Sequence, residues 1–305
     1  MKSQILVVGS MNMDFLVNTD EIPKIGETVL GNKLTQIPGG KGANQAVAMA
    51  KLQNSVTFLG KVGNDHYGDS LLNSMKSSGV NIEYIERENT STGIAVINVD
   101  KEGNNNIIVI PGANKSVDVE YLRRNYSLFE QSEIVLFQLE IPIETVKEAL
   151  RISKELGKTT ILNPAPAMDL DDRIIQNIDI LIPNEHELGR IAKIEIVDHD
   201  SLLKAANVLL GKGIKQIIVT LGSKGVLYVD SFKHEYFPAY KVNVVDTTAA
   251  GDSFIGGFTS GYLKNPDNIK KAIDLGQKTA ALSIQKMGAQ SSLPTLEEVE
   301  NFKIK

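Results

Sequence analysis

The chain has 305 residues, of which 42% are hydrophobic and 23% charged, and its formal net charge is −5. This composition is typical of a globular α/β protein, and the acidic balance argues against a general affinity for nucleic acid or an anionic membrane. The absence of cysteine excludes disulfides and thiolate chemistry. Residues 1–9 are too short for a signal peptide, and no stretch reaches the roughly 20 apolar residues of a membrane span, so we expect a cytoplasmic protein.

Short apolar segments alternate along the chain with amphipathic ones. The predicted buried strands are 5–8, 56–59, 134–137, 159–162, 178–182 and 216–220. The predicted helices are 42–52, 68–78, 143–156 and 201–210. Such alternation, with strands that are apolar on both faces, is typical of a doubly wound, mostly parallel α/β sheet that is covered by helices on each side.

Two regions break this pattern with half-polar strands joined by turns. We therefore expect a small antiparallel β sheet, built from residues 12–37 and 93–111. This sheet would be inserted into a core formed by residues 1–11, 38–92 and 112–305. Its apolar face needs a cover, which a ligand cleft, a partner subunit or both would provide.

The segment after the first strand lies where nucleotide-binding folds place a dinucleotide fingerprint. Met11 breaks the G-x-G-x-x-G pattern, so NAD is not expected. Asn12 and Asp14 remain, and their side chains point the same way if the segment is extended. Such a pair can hold two sugar hydroxyls, and an Asx turn is the alternative interpretation.

Residues 38–46 form a glycine-rich turn that runs into a predicted helix. The turn is not a P-loop, because Lys41 is followed by Gly42 rather than by Ser or Thr. The side chain of Asn44 offers donors and an acceptor, which suits a polyhydroxyl ligand better than a phosphate. A purely structural turn is the alternative.

Three further polar segments follow predicted strands. Glu140 is a lone carboxylate at a sheet end, where open α/β sheets bind ligands. Asn184 and Glu187 are three residues apart and could orient Mg²⁺ through waters, or could form a capping box. Residues 220–225 could be a plain hairpin or could present N–H groups to nucleotide phosphates.

The run from Asp246 to Asp252 is the most informative segment of the chain. It follows a strand-like segment, 240–245, and opens a helix-like one, 253–263. Its small residues allow the N–H groups of the first helical turn to approach an anion, which the helix dipole also favours. Asp252 adds a base beside this anion site, as phosphoryl transfer to a hydroxyl requires. An ordinary N-capped helix is the alternative.

Together, GGKGAN at 39–44 and DTTAAGD at 246–252 resemble the two signatures of the ribokinase-like (PfkB-type) carbohydrate kinases. The order and spacing of these segments agree along essentially the whole chain. The Asn12 and Asp14 pair, NPAPA at 163–167 and GAQ at 288–290 make it most similar to the ribose-phosphorylating members. The resemblance implies a ribokinase-like fold with a β lid, ATP-dependent phosphorylation of D-ribose at its 5-hydroxyl, and a homodimer formed through the lid.

The resemblance also implies roles for individual residues. Asp252 would be the base, and the N–H groups of Ala249, Ala250 and Gly251 would form an anion hole for the phosphoryl group. The residues that would bind ribose are Asn12, Asp14, Gly40, Lys41, Asn44, Glu140 and Asp252. Those on the nucleotide side are Asn184, Thr220, Leu221, Gly222, Ser223, Lys224, Gly225, Gly251, Asp252 and Gln277, with Asn184 and Glu187 associated with Mg²⁺. A potassium ion would be held by Asp246, Thr248, Ser283, Lys286, Gly288 and Ser292.

Two alternatives remain open at this point. The first is a kinase for another acceptor, such as deoxyribose, a nucleoside or fructose. The second is a catalytically silent sugar- or nucleotide-binding regulator on the same fold. Loss of the base or of the anion hole would mark the regulator, and the sequence keeps both.

Overall fold

The computed structural model describes residues 4–303. Within this range the strands are β1 (Ile5–Val8), β2 (Asn12–Thr19), β3 (Gly31–Gly39), β4 (Val56–Leu59), β5 (Lys61–Gly63), β6 (Glu86–Glu88), β7 (Gly93–Val99), β8 (Asn105–Ile110), β9 (Ile134–Phe137), β10 (Thr159–Leu162), β11 (Ile180–Leu181), β12 (Gln216–Thr220), β13 (Val226–Asp230) and β14 (His234–Phe237). The helices over the same range are α1 (Lys41–Lys51), α2 (His66–Ser77), α3 (Val119–Arg124), α4 (Tyr126–Gln131), α5 (Ile143–Glu155), α6 (Asp172–Ile175), α7 (Glu185–Ala192), α8 (His199–Gly211), α9 (Ala250–Lys264), α10 (Ile269–Ser283) and α11 (Leu296–Glu300).

The larger sheet confirms the predicted doubly wound architecture. Its strand order is β14-β13-β12-β11-β10-β9-β1-β4, and all neighbours from β12 to β4 are parallel. Leu6 and Val8 of β1 face a core shared with α5 and α8, whereas Ile5 and Val7 face a core shared with α1 and α9. Because helices cover both faces of the sheet, this strand is apolar at every position.

The smaller sheet, called the lid sheet below, has the strand order β3-β2-β7-β8. It consists of two antiparallel hairpins, β2 with β3 and β7 with β8, and the hairpins meet through a parallel pairing of β2 with β7. The two regions that break the α/β pattern in the sequence thus come together in one sheet. Every residue of the edge strand β8 is exposed, including Ile107 and Ile108 at 55% and 60%.

The prediction of a strand at 240–245 was wrong. These residues form a loop, in which Val244 and Val245 are 60% and 54% exposed. The larger sheet ends at β14, so the segment has no neighbouring strand, and the backbone N–H of Val245 donates instead to the carbonyl oxygen of Ile284 at 2.7 Å. A β-branched run forms a strand only where such a neighbour exists.

Helix α9 lies close to α1 and α10 because small residues line its contacts. A Cβ atom added at Gly256 would lie 2.4 Å from the Cβ of Ala48 in α1. One added at Gly257 would lie 2.8 Å from the Cα of Gly276 in α10. These close approaches bring the first turn of α9 beside the first turns of α1. Between residues 4 and 303, no helix is both long and apolar enough to cross a bilayer.

We expect Gly256→Ala to lower the free energy of unfolding. Overpacking against Ala48 costs roughly 1–3 kcal/mol, which outweighs the gain of about 0.5–1 kcal/mol from removing a helical glycine. Urea denaturation checks this, with Gly211→Ala as the matched control, because a Cβ at that helical glycine would meet no atom within 4 Å. The control should be neutral or stabilising, and equal effects of the two substitutions would contradict the role of close helix packing.

Candidate active site

Four carboxyl groups from distant parts of the sequence lie around Lys41, at the first turn of α1. They belong to Asp14 of β2, Glu140 after β9, Glu187 in α7 and Asp252 in α9. Burial lowers the pKa of Lys41, but attraction to these carboxylates outweighs burial and holds the pKa above its ordinary value. The lysine is therefore a permanent ammonium within an acidic cluster. The structure thus brings together the sugar-side residues that the sequence singled out.

Asp252 is 9% exposed, and its carboxylate is held by two neighbouring residues of α1. Asn44 Nδ2 donates to Asp252 Oδ2, and Gln45 Nε2 donates to Asp252 Oδ1, each at 2.9 Å. Burial raises the pKa of Asp252 above its ordinary value, while Lys41 and the two amide donors oppose this effect. The result is a carboxylate of increased basicity in a fixed orientation, which suits a general base. Gln45 was missed as a site residue.

Asn12 and Asp14 lie at the start of β2, where both side chains are buried. Asn12 Oδ1 accepts a hydrogen bond from Asn114 Nδ2 at 2.8 Å, so the amide nitrogen of Asn12 is left as a donor for a ligand. A Cβ at Gly39 would lie 2.0 Å from Asp14 Oδ2, so the glycine leaves room for this carboxylate. Asn114 was also missed, because a single asparagine in a short turn carries no spacing signal.

Glu140 and Asp14 differ in how their charges are compensated. Glu140 Oε2 accepts hydrogen bonds from Ser10 Oγ at 2.5 Å and from the backbone N–H of Lys41 at 3.2 Å. The pKa of Asp14 is raised to about 7 by burial and then by the negative charges of Glu140 and Asp252, which Lys41 only partly offsets. Asp14 therefore titrates near neutral pH in the protein without ligand.

The start of α9 is open where an anion would lie. Gly251 is exposed, and a Cβ placed on it would meet no atom within 4 Å. The backbone N–H of Ala250 donates to the carbonyl oxygen of Thr247 at 3.1 Å, whereas Ala249 is buried at the helix N-cap. Of the three amides expected to form the anion hole, that of Ala250 is thus already hydrogen-bonded, whereas Gly251 lies at an exposed position at the N-terminus of a 15-residue helix, whose dipole favours an anion.

The nucleotide-side residues surround the end of β12. The backbone N–H of Thr220 donates to the carbonyl oxygen of Pro183 at 2.9 Å, which places Asn184 beside the hairpin of residues 220–225. Asn184 and Glu187 form a reciprocal capping box, with bonds of 2.8 and 2.9 Å. Gln277 lies on α10, and its Nε2 donates to two backbone carbonyls at 237 and 238. These hydrogen bonds connect α10 to the end of β14 and the residue after it. A role of Gln277 in nucleotide binding therefore stays a prediction.

The six residues expected to surround a potassium ion lie in two adjoining loops and, in the case of Ser283, at the end of α10. Asp246 accepts hydrogen bonds from Thr248 and, at 2.8 Å, from the backbone N–H of Gly288. The hydroxyls of Ser283 and Ser292 are 2.8 Å apart. The side chain of Lys286 turns outward to pair with Glu298, so this residue brings only backbone oxygen to the loops.

Lys51, at the end of α1, is a further residue that sequence reasoning missed. Its Nζ donates to the backbone carbonyls of Gln290 and Leu293, each at 2.9 Å. Because these carbonyls belong to the loop that carries Gly288 and Ser292, an internal ammonium already fixes one side of that loop. Lys51 and Gln290 are more than two hundred residues apart in sequence, which explains why no motif indicated this contact.

Comparison with known proteins gives the same family over the whole chain. Residues 2–296 match the pfkB family carbohydrate kinase profile. A ribokinase of Staphylococcus aureus is 39% identical over 301 residues, covering 98% of this chain and 99% of that protein. A deoxyribokinase of Salmonella typhi is 38% identical over 300 residues, covering 98% of each. The solved structure of Arabidopsis thaliana ribokinase complexed with ribose and ATP has a TM-score of 0.90 at 30% identity, covering 99% of this chain and 100% of that chain.

We expect Asp14→Asn to stabilise the ligand-free protein above neutral pH. The pKa of Asp14 is higher in the folded than in the unfolded chain, so the folded state binds the extra proton and loses stability as the pH rises from the ordinary carboxyl range through about 7. Above that range the charged, buried carboxylate costs on the order of a few kcal/mol, which asparagine does not. The same substitution should weaken sugar binding, because a hydrogen-bond acceptor is lost.

Urea denaturation without sugar, at about pH 5 and about pH 8, measures this effect. Asp14→Asn should gain stability over wild type mainly at the higher pH. The control is Asp20→Asn, which removes an exposed carboxylate just beyond the other end of β2. A gain for Asp14→Asn that is the same at both pH values would show that the pKa of Asp14 is not raised.

Proposed function

The chain belongs to the pfkB family of carbohydrate kinases, and we propose that it phosphorylates D-ribose at the 5-hydroxyl with ATP, giving D-ribose 5-phosphate and ADP. One observation carries the proposal. The buried carboxylate of Asp252, held by two amide donors, lies one residue from the exposed amide of Gly251 at the start of a long helix. A base beside an open anion site supports phosphoryl transfer to a hydroxyl.

In the proposed reaction Asp252 accepts the proton of the sugar 5-hydroxyl as the oxygen attacks the γ-phosphorus of ATP. The bond from that phosphorus to the bridging oxygen breaks, and ADP leaves with the bonding electrons. The Gly251 amide and the α9 dipole stabilise the charge on the transferring group. The ammonium of Lys41 lies near the base and favours its ionised form, against the burial that raises its pKa.

The sugar would be bound by groups of complementary type. The amide nitrogen of Asn12 is a free donor, and the carboxylates of Asp14 and Glu140 are acceptors. Asn44 Oδ1 is buried without a partner within residues 4–303, so it can accept from a hydroxyl while Asn44 Nδ2 holds the base. An alternation of donors and acceptors suits a ligand with several hydroxyls.

Deoxyribose is the second candidate acceptor, because deoxyribokinases are nearly as similar to the chain as ribokinases are. The two sugars differ by one hydroxyl, and a site that hydrogen-bonds a hydroxyl rejects the analogue that lacks it. A silent regulator is disfavoured, since the base and the open helix start are both present.

Magnesium would enter with ATP and neutralise charge between its phosphates. The residues fit a hydrated ion, because Glu187 uses Oε2 in the capping box and its Oε1 makes no hydrogen bond within the described part of the chain. Asn184, in the same turn, would help to orient the waters of that ion.

Potassium is the proposed activating cation. The loops around Asp246 and Gly288 offer carboxylate, hydroxyl and backbone oxygens, which suit a hard cation. The same loop leads directly into the start of α9 through the Thr247 to Ala250 hydrogen bond. A bound cation would therefore order the anion site without contacting the sugar.

We also propose a cytoplasmic homodimer in which two lids pair. The apolar side chains of β8 are exposed along one edge of the lid sheet, and Leu34 of β3, which is 58% exposed, lies at the opposite edge. An edge strand with this character favours pairing with a second strand. A cytoplasmic location would supply ATP.

The function is tested by ATP consumption with Mg²⁺ and K⁺ in the presence of ribose, 2-deoxyribose, fructose, adenosine or no acceptor. We expect turnover with ribose and its loss when Na⁺ replaces K⁺. Asp252→Asn is the control and should lower kcat by about 10²–10⁴-fold while ATP and ribose still bind. Turnover with a different acceptor would replace the substrate, and none with any acceptor would favour a binding protein.

The lid dimer is tested by analytical ultracentrifugation. Ile108→Asp places a charge on the uncovered strand and should convert the dimer to a monomer. Phe232→Asp is the matched control, because Phe232 is 94% exposed at the turn between β13 and β14, outside the lid, and the dimer should persist. A wild-type monomer at micromolar concentration would contradict the proposal.

A further inference from the structure

Three buried amide side chains form a chain of hydrogen bonds behind Asp252. Gln45 and Gln138 are fully buried, and Asn163 is 7% exposed. Gln45 Nε2 donates to Asp252 Oδ1 at 2.9 Å and to Asn163 Oδ1 at 3.2 Å. Gln138 Nε2 donates to Gln45 Oε1 at 2.6 Å. This chain of amides lies behind Asp252, in the protein interior, where Gln45 is fully buried and no ligand can reach it.

The direction of each amide in this chain follows from its partners. Asn163 Nδ2 donates to the backbone carbonyl of Ile182 at 3.1 Å, so the oxygen of Asn163 faces Gln45. If the amide of Gln45 were reversed, its oxygen would face the oxygens of Asp252 and Asn163, and its nitrogen would face the donor of Gln138. Since buried polar groups are hydrogen-bonded, only one orientation is compatible with all partners.

The chain of amides connects the base to the sheet itself. Gln138 follows β9, Asn163 follows β10 and Ile182 follows β11, so the anchors lie at the carboxyl ends of three adjacent strands. Gln45 projects from α1 toward this edge. The plane of the Asp252 carboxylate is therefore fixed by rigid elements before any ligand binds. Supporting hydrogen bonds of this kind preorganise a functional side chain.

We propose that Gln45 is a positioning residue that sets both the orientation and the basicity of Asp252. Asn44 and Gln45 divide the task. Asn44 holds Oδ2 and has an oxygen free for the sugar, whereas Gln45 holds Oδ1 and contacts protein alone. The effect of Gln45 on turnover rests on the proposed kinase function, but its effect on the Asp252 carboxylate does not.

The charges around Asp252 explain why a hydrogen bond from an uncharged donor matters for the pKa of this carboxylate. Glu140 acts on Asp252 with negative charge, as do Asp14 from β2 and Glu187 from α7, while Lys41 of α1 is the positive group. With three carboxyl groups against one ammonium, the hydrogen bonds from Asn44 and Gln45 favour the ionised form of Asp252, against its burial and its acidic neighbours. Removing one of them should raise its pKa further.

The first measurement is made without substrates. Aspartate labelled with carbon-13 at the side-chain carboxyl is incorporated, and the Asp252 resonance is identified by its absence in Asp252→Asn. In Gln45→Met, a near-isosteric change that removes the donor, the midpoint of the Asp252 titration should move to higher pH. Thr259→Val is the control, because it removes a buried, unpartnered hydroxyl from the same helix, and its midpoint should match wild type.

The second measurement is steady-state kinetics on whichever sugar the wild-type protein phosphorylates. Gln45→Met should lower kcat at neutral pH about tenfold or more, because hydrogen bonds to charged groups are worth at least that factor, with the KM for sugar unchanged. The loss should shrink as the pH is raised. A raised KM with unchanged kcat would overturn the positioning role.

Gln138→Met keeps the test decisive if Gln45→Met does not fold. It leaves the donor in place but removes the group that orients it, so the midpoint and kcat should change in the same direction by a smaller factor. An unchanged midpoint in every folded variant would overturn the proposal. Because the titration needs no turnover, a protein that phosphorylates no sugar would refute the proposed function, and the midpoints would still show whether Gln45 sets the basicity of Asp252.

Discussion

The packing of the helices around the site centres on the hydrogen bonds to one buried carboxylate. Asp252 lies at the start of α9, away from solvent, and its charged form is favoured by Lys41 and by donors from another element within hydrogen-bond distance. Helix α1 supplies them, and it can do so because Gly256 allows α9 to lie against Ala48. The glycine contacts between helices, the amides of α1 and the strand ends behind them thus serve a single electrostatic requirement.

The acidic cluster makes the site unfavourable for the fold and favourable for a ligand. Asp14 is charged only at a cost, because Glu140 and Asp252 lie near it and Lys41 alone offsets them. Hydroxyl groups that donate to these carboxylates would replace the water that burial removed. If the proposed sugar site is right, binding of the sugar would offset part of the cost of burying these charges, in keeping with the strain found at functional sites.

Sequence reasoning succeeded where a residue's surroundings are implied by its neighbours in the chain. The strand at 5–8 was predicted with its observed bounds because both of its faces are apolar, and the residues around Asp252 were found because they form a contiguous motif. The prediction of a strand at 240–245 was wrong because strand formation depends on a neighbouring strand, which the local sequence does not reveal. Gln45, Asn114 and Lys51 were missed because each acts through a distant contact that no spacing encodes.

The pairing of the lid strands has a mechanical consequence. Asn12 at the start of β2 is in register with Gly39 at the end of β3 and with Gly93 at the start of β7. All three strands therefore leave the core at the same level, which is also the level of Asn12 in the proposed sugar site. A tilt of the lid sheet about this level would therefore turn the side chain of Asn12 as well. If Asn12 binds the sugar as proposed, release of the product and opening of the cleft would be a single movement rather than two successive ones.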